Sequence, residues 1–228
     1  MSAFHKIIAN VRAALERQVA TPDPHSDNGR VTLPRCDAAR RAELTSGLGR
    51  ELERVGGHFC GTLTRAEACE RALAIAEETA ARSAVVGAGV SFDPDPVAKA
   101  LARNGIEIIR PERANDPLRA AIRERIAACE LGVIEADYAI AASGTLCLIA
   151  SAERPSSITI LPPVNFIVVA VDRILPTLAD VVAAIGPERF ARHRVAFITG
   201  PSRTADIEKL IVIGVHGPKT LYAAAISN

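Results

Sequence analysis

The sequence lacks the ligand spacings that hold metal clusters. Its five cysteines, Cys36, Cys60, Cys69, Cys129 and Cys147, include no CxxC and no CxxCxxC, so consecutive ligands cannot wrap an iron–sulfur cluster or a structural zinc. Five is an odd number for a disulfide framework, and buried free thiols are expected instead. None of the five histidines stands in an HxxxH or HExxH pattern, so a metal site would have to gather its ligands from distant loops. No apolar run is long enough to cross a bilayer, and residues 1–20 are amphipathic with internal charges rather than a signal-peptide pattern. A cytoplasmic location is therefore expected. The formal net charge of +1 provides no long-range field for a polyanion, which argues against nucleic acid and membrane surfaces as partners. A dinucleotide fingerprint is also missing. Gly87-Ala88-Gly89 follows an apolar run, but Phe92 occupies the place of the third glycine, and Ser91 to Pro96 reads as a loop.

What is present is enough for a large core. With 228 residues, 49% of them hydrophobic, the chain fits one α/β domain, alone or with an appendage. Phe4, Ile7, Ile8, Val11 and Leu15 recur at helical spacing, and a proline-containing polar linker follows from Thr21 to Gly29. The helix either folds back on its own domain or docks on another subunit. We assign residues 1–35 to this helical appendage and residues 36–228 to the α/β domain.

Asp37 caps a predicted helix with Leu44, Leu48, Leu52 and Val55 on one face, ended by Gly56-Gly57. A short strand follows at His58–Gly61. Thr64-Arg65-Ala66-Glu67 is a capping box for a helix to about Arg82, and an apolar strand runs from Ala84 to Gly87. Asp95-Pro96 and Asp116-Pro117 each open a further helix, with a strand at Ile106–Ile109 between them. This alternation predicts a mainly parallel sheet flanked by helices. From Leu131 onward strands dominate. Ala139–Ala142 and Thr145–Ala150 form a hairpin through Ser143-Gly144, and further strands are expected at Ser156–Leu161, Asn165–Val171, Val195–Thr199, Leu210–Val215 and Thr220–Ile226. Thr177 caps a helix to about Ile185.

The stretch that invites chemistry runs from Phe197 to Glu208. An apolar strand enters a turn at Gly200-Pro201, and Ser202-Arg203-Thr204 then opens a predicted helix bearing Asp206 and Glu208. A glycine turn, free N–H groups at a helix start and one guanidinium make an anion site. Arg203 alternatively pairs with Asp206, Glu208 or another carboxylate. Ser143, Gly144 and Thr145 offer N–H groups and hydroxyls to an oxyanion, or form only a tight turn. His216, beside Gly217 in a turn, serves as an acid or base, or is held by a loop carbonyl.

Ala136–Thr145, Leu161-Pro162-Pro163, Gly200–Glu208 and Gly214-Val215-His216-Gly217-Pro218 resemble, in order and spacing, the LUD-domain family in its lactate-utilization branch. The resemblance covers roughly Leu131 to the C-terminus. It implies a fold similar to the sugar-phosphate isomerase and CoA-transferase superfamily. It also implies a non-redox role in a multi-protein system oxidising L-lactate to pyruvate, with the iron–sulfur clusters on partner subunits and no cofactor in this chain. Two positions depart from the family pattern: Ala142, where relatives often carry an acidic or other polar residue, and Asn165, where they often carry histidine. The motif residues assigned to a small anionic ligand are Ser143, Gly144, Thr145, Gly200, Pro201, Ser202, Arg203, Thr204 and Gly217, with His216 as the catalytic candidate. A stand-alone enzyme on a sugar phosphate or acyl substrate and an anion-binding regulatory module are the alternatives.

Overall fold

The computed structural model describes residues 36–111, 116–205, 211–214 and 217–227, the side chains at 116–119, 204–205 and 211–213 excepted. The expected N-terminal helix and linker lie outside the described residues.

Helix α1 (Ala38–Arg54) starts where Asp37 accepts the Arg40 N–H at 2.7 Å. Leu44, Leu48 and Leu52 at four-residue spacing give it one buried face. It ends in the predicted glycine pair, with the Gly57 N–H donating to the Leu52 carbonyl at 2.9 Å. Strand β1 (His58–Leu63) then leads through the complete Thr64/Glu67 capping box into α2 (Arg65–Glu78). Next come β2 (Ser83–Val86), α3 (Asp95–Arg103), β3 (Glu107–Ile109), α4 (Asp116–Ala128) and β4 (Leu131–Glu135). Asp95 is the first residue of α3 rather than its cap. Pro94 occupies the cap position without a side-chain hydrogen bond, and Asp93 accepts the Asp95 N–H.

Two strand systems follow. The hairpin β5 (Tyr138–Ile140) and β6 (Thr145–Ile149) joins β8 (Ile174–Leu175) and β9 (Val195–Thr199) in a four-stranded mixed sheet of order β8-β5-β6-β9. β7 (Val164–Ala170) and β12 (Thr220–Ile226) return to the first sheet, which has six parallel strands in the order β1-β12-β7-β4-β2-β3. The parallel sheet flanked by helices is the architecture expected from the sequence.

Both faces of that sheet are covered. Val86, Val133, Phe166, Val168 and Ala224 pack with Ala68, Ala72, Ile75, Val97 and Leu101 of α2 and α3. Val85, Ile134, Ile167, Val169 and Ala223 pack with α1 and with Ala139, Leu146 and Leu148 of the second sheet. The outer face of the second sheet, including Tyr138, Cys147 and Ile149, is closed by α5 (Leu178–Ile185). The short helix α6 (Pro187–Arg192), which the sequence reading did not foresee, follows directly.

Two expected elements differ. Ser156–Thr159 is a 3-10 turn rather than a strand. β4 already has β2 and β7 on its two edges, so this segment finds no ladder; it lies across the sheet with Ile158 against Gly87 and Gly132. The residues after Pro201 do not open a helix: Arg203–Ala205 is strand β10, paired antiparallel with β11 (Ile211–Ile213).

All five cysteines are free, and two are buried. Burial, with a smaller contribution from Asp137, pushes the Cys147 thiol up to about 12, and burial pushes Cys129 to about 11. Neither forms thiolate near neutral pH. Alkylation of the native protein at pH 8, followed by mass spectrometry, is expected to spare Cys129 and Cys147 until denaturant is added. At the corner between the sheets, Arg154 (7% exposed) donates to Asp137 (4% exposed) at 3.0 Å. Asp137→Ala strands that guanidinium and is expected to cost about 3–5 kcal/mol in chemical denaturation.

Candidate functional site

The motif residues converge on the last turn of α1. Because β6 and β9 pair antiparallel, Thr145 stands opposite Thr199, and their hydroxyls are 2.8 Å apart. Ser143 extends this row, with its hydroxyl 2.8 Å from that of Thr145. The row runs from the buried Thr145 to the exposed Thr199. Gly144, at φ +64°, makes the hairpin tight enough to reach α1; a Cβ there would stand 2.6 Å from the Glu51 carbonyl carbon.

The second stretch meets the same helix end. Gly200, at φ +74°, lets the chain pass so close that an added Cβ would stand 2.8 Å from the Val55 carbonyl oxygen. Pro201 is buried and faces Gly56, and the exposed Arg203 lays its guanidinium over Gly56. The Ser202 N–H donates to the Pro218 carbonyl at 2.9 Å, and the Ser202 carbonyl accepts from the Gly214 N–H at 3.0 Å. Gly217 packs on Ser202, where its own Cβ would come within 2.9 Å of the serine Cβ. Pro163 closes the group by accepting the Lys219 and Thr220 N–H groups at 2.7 and 3.1 Å.

The structure thus brings Ser143, Gly144 and Thr145 together with Gly200, Pro201, Ser202 and Arg203, and with Gly217. Thr204 lies on β10 opposite Val212. His216, Asp206 and Glu208 lie outside the described residues. The cluster sits at the amino ends of β1, β12 and β7, which begin at His58, Thr220 and Val164.

This placement changes the electrostatics expected from the sequence. The helix end beside Arg203 is a C-terminus, whose carbonyls carry partial negative charge, and not an N-terminus with free N–H groups. The guanidinium therefore complements a helix end and remains an exposed cation over Gly56. Asn165, one residue inside β7, is fully buried, and neither its amide oxygen nor its nitrogen has a hydrogen-bond partner among the described residues. Among those residues no group of three His, Cys, Asp or Glu is placed to hold a metal. No described helix is long and apolar enough to cross a membrane.

Sequence reasoning missed two parts of this arrangement. The wall supplied by Glu51, Leu52, Val55 and Gly56 was read only as a helix end, since nothing local says what a helix end abuts. Thr199 was read as strand, and its role in the hydroxyl row depends on the β6–β9 register.

A six-stranded parallel sheet with a second mixed sheet and glycine-built turns at one helix end makes this a two-sheet α/β protein. The LUD domain pattern matches residues 48–224, and the chain belongs to the LUD-domain family. Over 171 residues the chain is 30% identical to the Escherichia coli protein YkgG, covering 72% of this chain and 71% of that one. It is 27% identical over 160 residues to lactate utilization protein C of Halalkalibacterium halodurans, covering 68% and 67% of the two chains. With lactate utilization protein C of Anoxybacillus flavithermus the identity is 33% over 118 residues, about half of each chain (52% and 51%). The crystal structure of a DUF162 family protein from Deinococcus radiodurans superposes with a TM-score of 0.60 at 18% identity, covering 82% of this chain and 98% of that one. At that identity the likeness speaks for the fold.

The close packing makes a direct test. Gly144→Ala is expected to destabilise the protein by more than about 1 kcal/mol, through a positive φ and overlap with α1. Ser143→Ala, on a half-buried side chain, stays within about 0.5 kcal/mol. Urea denaturation of the two variants checks both values.

Proposed function

We propose that this chain serves lactate utilization as a non-redox subunit of a system that oxidises L-lactate to pyruvate, and that the cluster of turns at the amino ends of its strands binds a small anion. The observation that carries the ligand reading is that the row Ser143–Thr145–Thr199 runs to the surface while its hairpin and Arg203 both meet the carboxyl end of α1, at Glu51–Leu52 and at Gly56, with Gly217 packed on Ser202. Hydroxyls that donate to oxygen and a forked guanidinium suit a carboxylate. The relatives named lactate utilization protein C support the physiological setting. Lactate oxidation removes two electrons, which side chains alone do not accept. This reading assigns the electron carriers, iron–sulfur clusters among them, to partner subunits, and gives this chain ligand binding or organisation of the complex.

Deletion of the gene is expected to abolish growth on L-lactate while sparing growth on glucose, and the tagged chain is expected to co-purify with iron–sulfur proteins from lactate-grown cells. Normal growth on lactate, or turnover of a sugar phosphate or acyl substrate by the purified chain alone, would overturn the proposal. In calorimetric titration with lactate and pyruvate, Arg203→Ala should weaken binding about tenfold, the loss of one charge-assisted hydrogen bond. Unchanged affinity removes Arg203 from the site.

A further inference from the structure

The opposite end of the six-stranded sheet holds a second polar arrangement. After β2 the chain forms a strap, Gly87 to Pro94, before α3 begins. Three consecutive N–H groups of this strap converge on one carboxylate: Val90, Ser91 and Phe92 donate to Glu135 Oε2 at 2.5, 2.9 and 3.0 Å. The Ser91 hydroxyl donates to Oε1. Gly89 keeps the cradle open, because a Cβ there would overlap the Phe92 carbonyl and approach Glu135 Oε2 to 3.2 Å. Successive N–H groups in such a concavity are a general anion receptor.

Its place in the topology is that of a ligand site. The chain runs from β2 outward to β3, then returns to β4 on the other side of β2 and proceeds away through β7 and β12. The direction of travel reverses between β2 and β4, and open α/β sheets bind ligands outside the carboxyl ends of the strands at such a point. The strap and Glu135 stand at the carboxyl ends of β2 and β4.

A second observation lies beside the first. Arg154 is 7% exposed, donates from one terminal nitrogen to the Glu135 carbonyl at 2.6 Å, and its neighbour Glu153 accepts the Ala88 N–H of the strap at 3.2 Å. Its buried Nε–H meets no acceptor among the described residues. Unmet buried donors are uncommon. An unused guanidinium N–H thus stands next to a residue whose carboxylate fills an anion receptor.

We propose that the strap is a binding site for the carboxylate group of a small organic acid, and that Glu135 is its internal competitor. In the closed state Glu135 occupies the cradle. In the liganded state the ligand carboxylate takes the three N–H groups and the Ser91 hydroxyl, and Glu135 turns to the open Nε–H of Arg154. The class is carboxylate because the cradle already holds a planar, two-oxygen anion with its donors divided between both oxygens. Self-occupancy makes the competent state a minor one and lowers the apparent affinity of the unaltered protein in proportion. This site is separate from the amino-end cluster and does not rest on it.

The test is calorimetric titration of full-length protein with acetate, lactate and inorganic phosphate. Glu135→Ala is expected to bind acetate and lactate saturably and at least tenfold more tightly than the unaltered protein, with phosphate well behind. Adding Ser91→Ala should weaken that binding severalfold, and the gain from Glu135→Ala should persist when both proteins compared carry Arg203→Ala, a background in which any contribution of the amino-end turns is reduced equally. A folded Glu135→Ala protein with no saturable binding, or with no gain over the unaltered protein, overturns the proposal. So does phosphate binding equal to that of acetate, or a gain from Glu135→Ala that disappears in the Arg203→Ala background, which would assign it to the amino-end turns. Should Glu135→Ala fail to fold in chloride buffer, recovery of native circular dichroism on adding acetate supports the cradle, and failure to recover counts against it.

Discussion

The structure depends on a sharp corner at Glu135–Asp137, where the chain leaves the parallel sheet and enters the mixed one. Only Ala136 and Asp137 separate β4 from β5, and both are buried. Polar groups at such a corner are cut off from bulk water and need partners within the protein, and here the Arg154 Nε–H stands as an exception among the described residues. The Ala136 N–H goes to the Val168 carbonyl at 2.7 Å and the Asp137 N–H to the Cys147 carbonyl at 2.8 Å, so each sheet takes one donor. The Asp137 carboxylate receives the Ile149 N–H and the Arg154 guanidinium, and Arg154 ties back to the Glu135 carbonyl. Charge is buried here because the corner needs acceptors and donors at fixed positions, and because the pair is surrounded by hydrogen bonds that offset its desolvation.

Once that corner is fixed, the positions of the two polar sites follow. The second sheet is held beside α1, so the tip of its β5–β6 hairpin reaches the last turn of that helix. β9 completes the sheet and delivers Gly200 to the same turn, and the β10–β11 pair then returns the chain toward Pro163 and β12. The amino-end cluster of turns is therefore assembled by the mixed sheet on the frame of the parallel one. The carboxyl-end strap is attached from the other direction, through Glu135 and through Ala88 to Glu153. The two sites lie at opposite ends of the parallel strands, and the corner that links the sheets carries Glu135, the occupant of one of them.

Much of the architecture was legible in local chemistry. Asp37, Thr64 and Thr177 announced three helix starts because their side chains satisfy N–H groups within three residues. The run Asn165–Val171 read as a buried strand because parallel strands are covered on both faces and need no alternation. Ser156–Leu161 was misread for a related reason: its composition suits a strand, but the ladder positions beside β4 were already taken. Arg203–Ala205 was misread as a helix start because a glycine turn before small polar residues suits either element, and only pairing with Ile211–Ile213 selects the strand. Of the candidate site, Ser143–Thr145 and Gly200–Arg203 were recognisable as turns with polar side chains, but the surface they share was not. Glu135 ended a fully apolar run, which was a signal in itself, yet its partners lie some forty residues earlier, in a loop notable chiefly for its missing glycine.

By itself the sequence determined the elements and their caps, the covered parallel sheet, and the glycines on which close approach would depend, since each rests on interactions within a few residues. The tertiary structure decided what those glycines approach. Gly144 and Gly200 both meet the carbonyl end of α1, which places Arg203 beside a negative helix terminus instead of a positive one. The sign of that field depends on which end of a distant helix the turn packs against. It is set by strand register and sheet order over more than a hundred residues, beyond the reach of any local pattern.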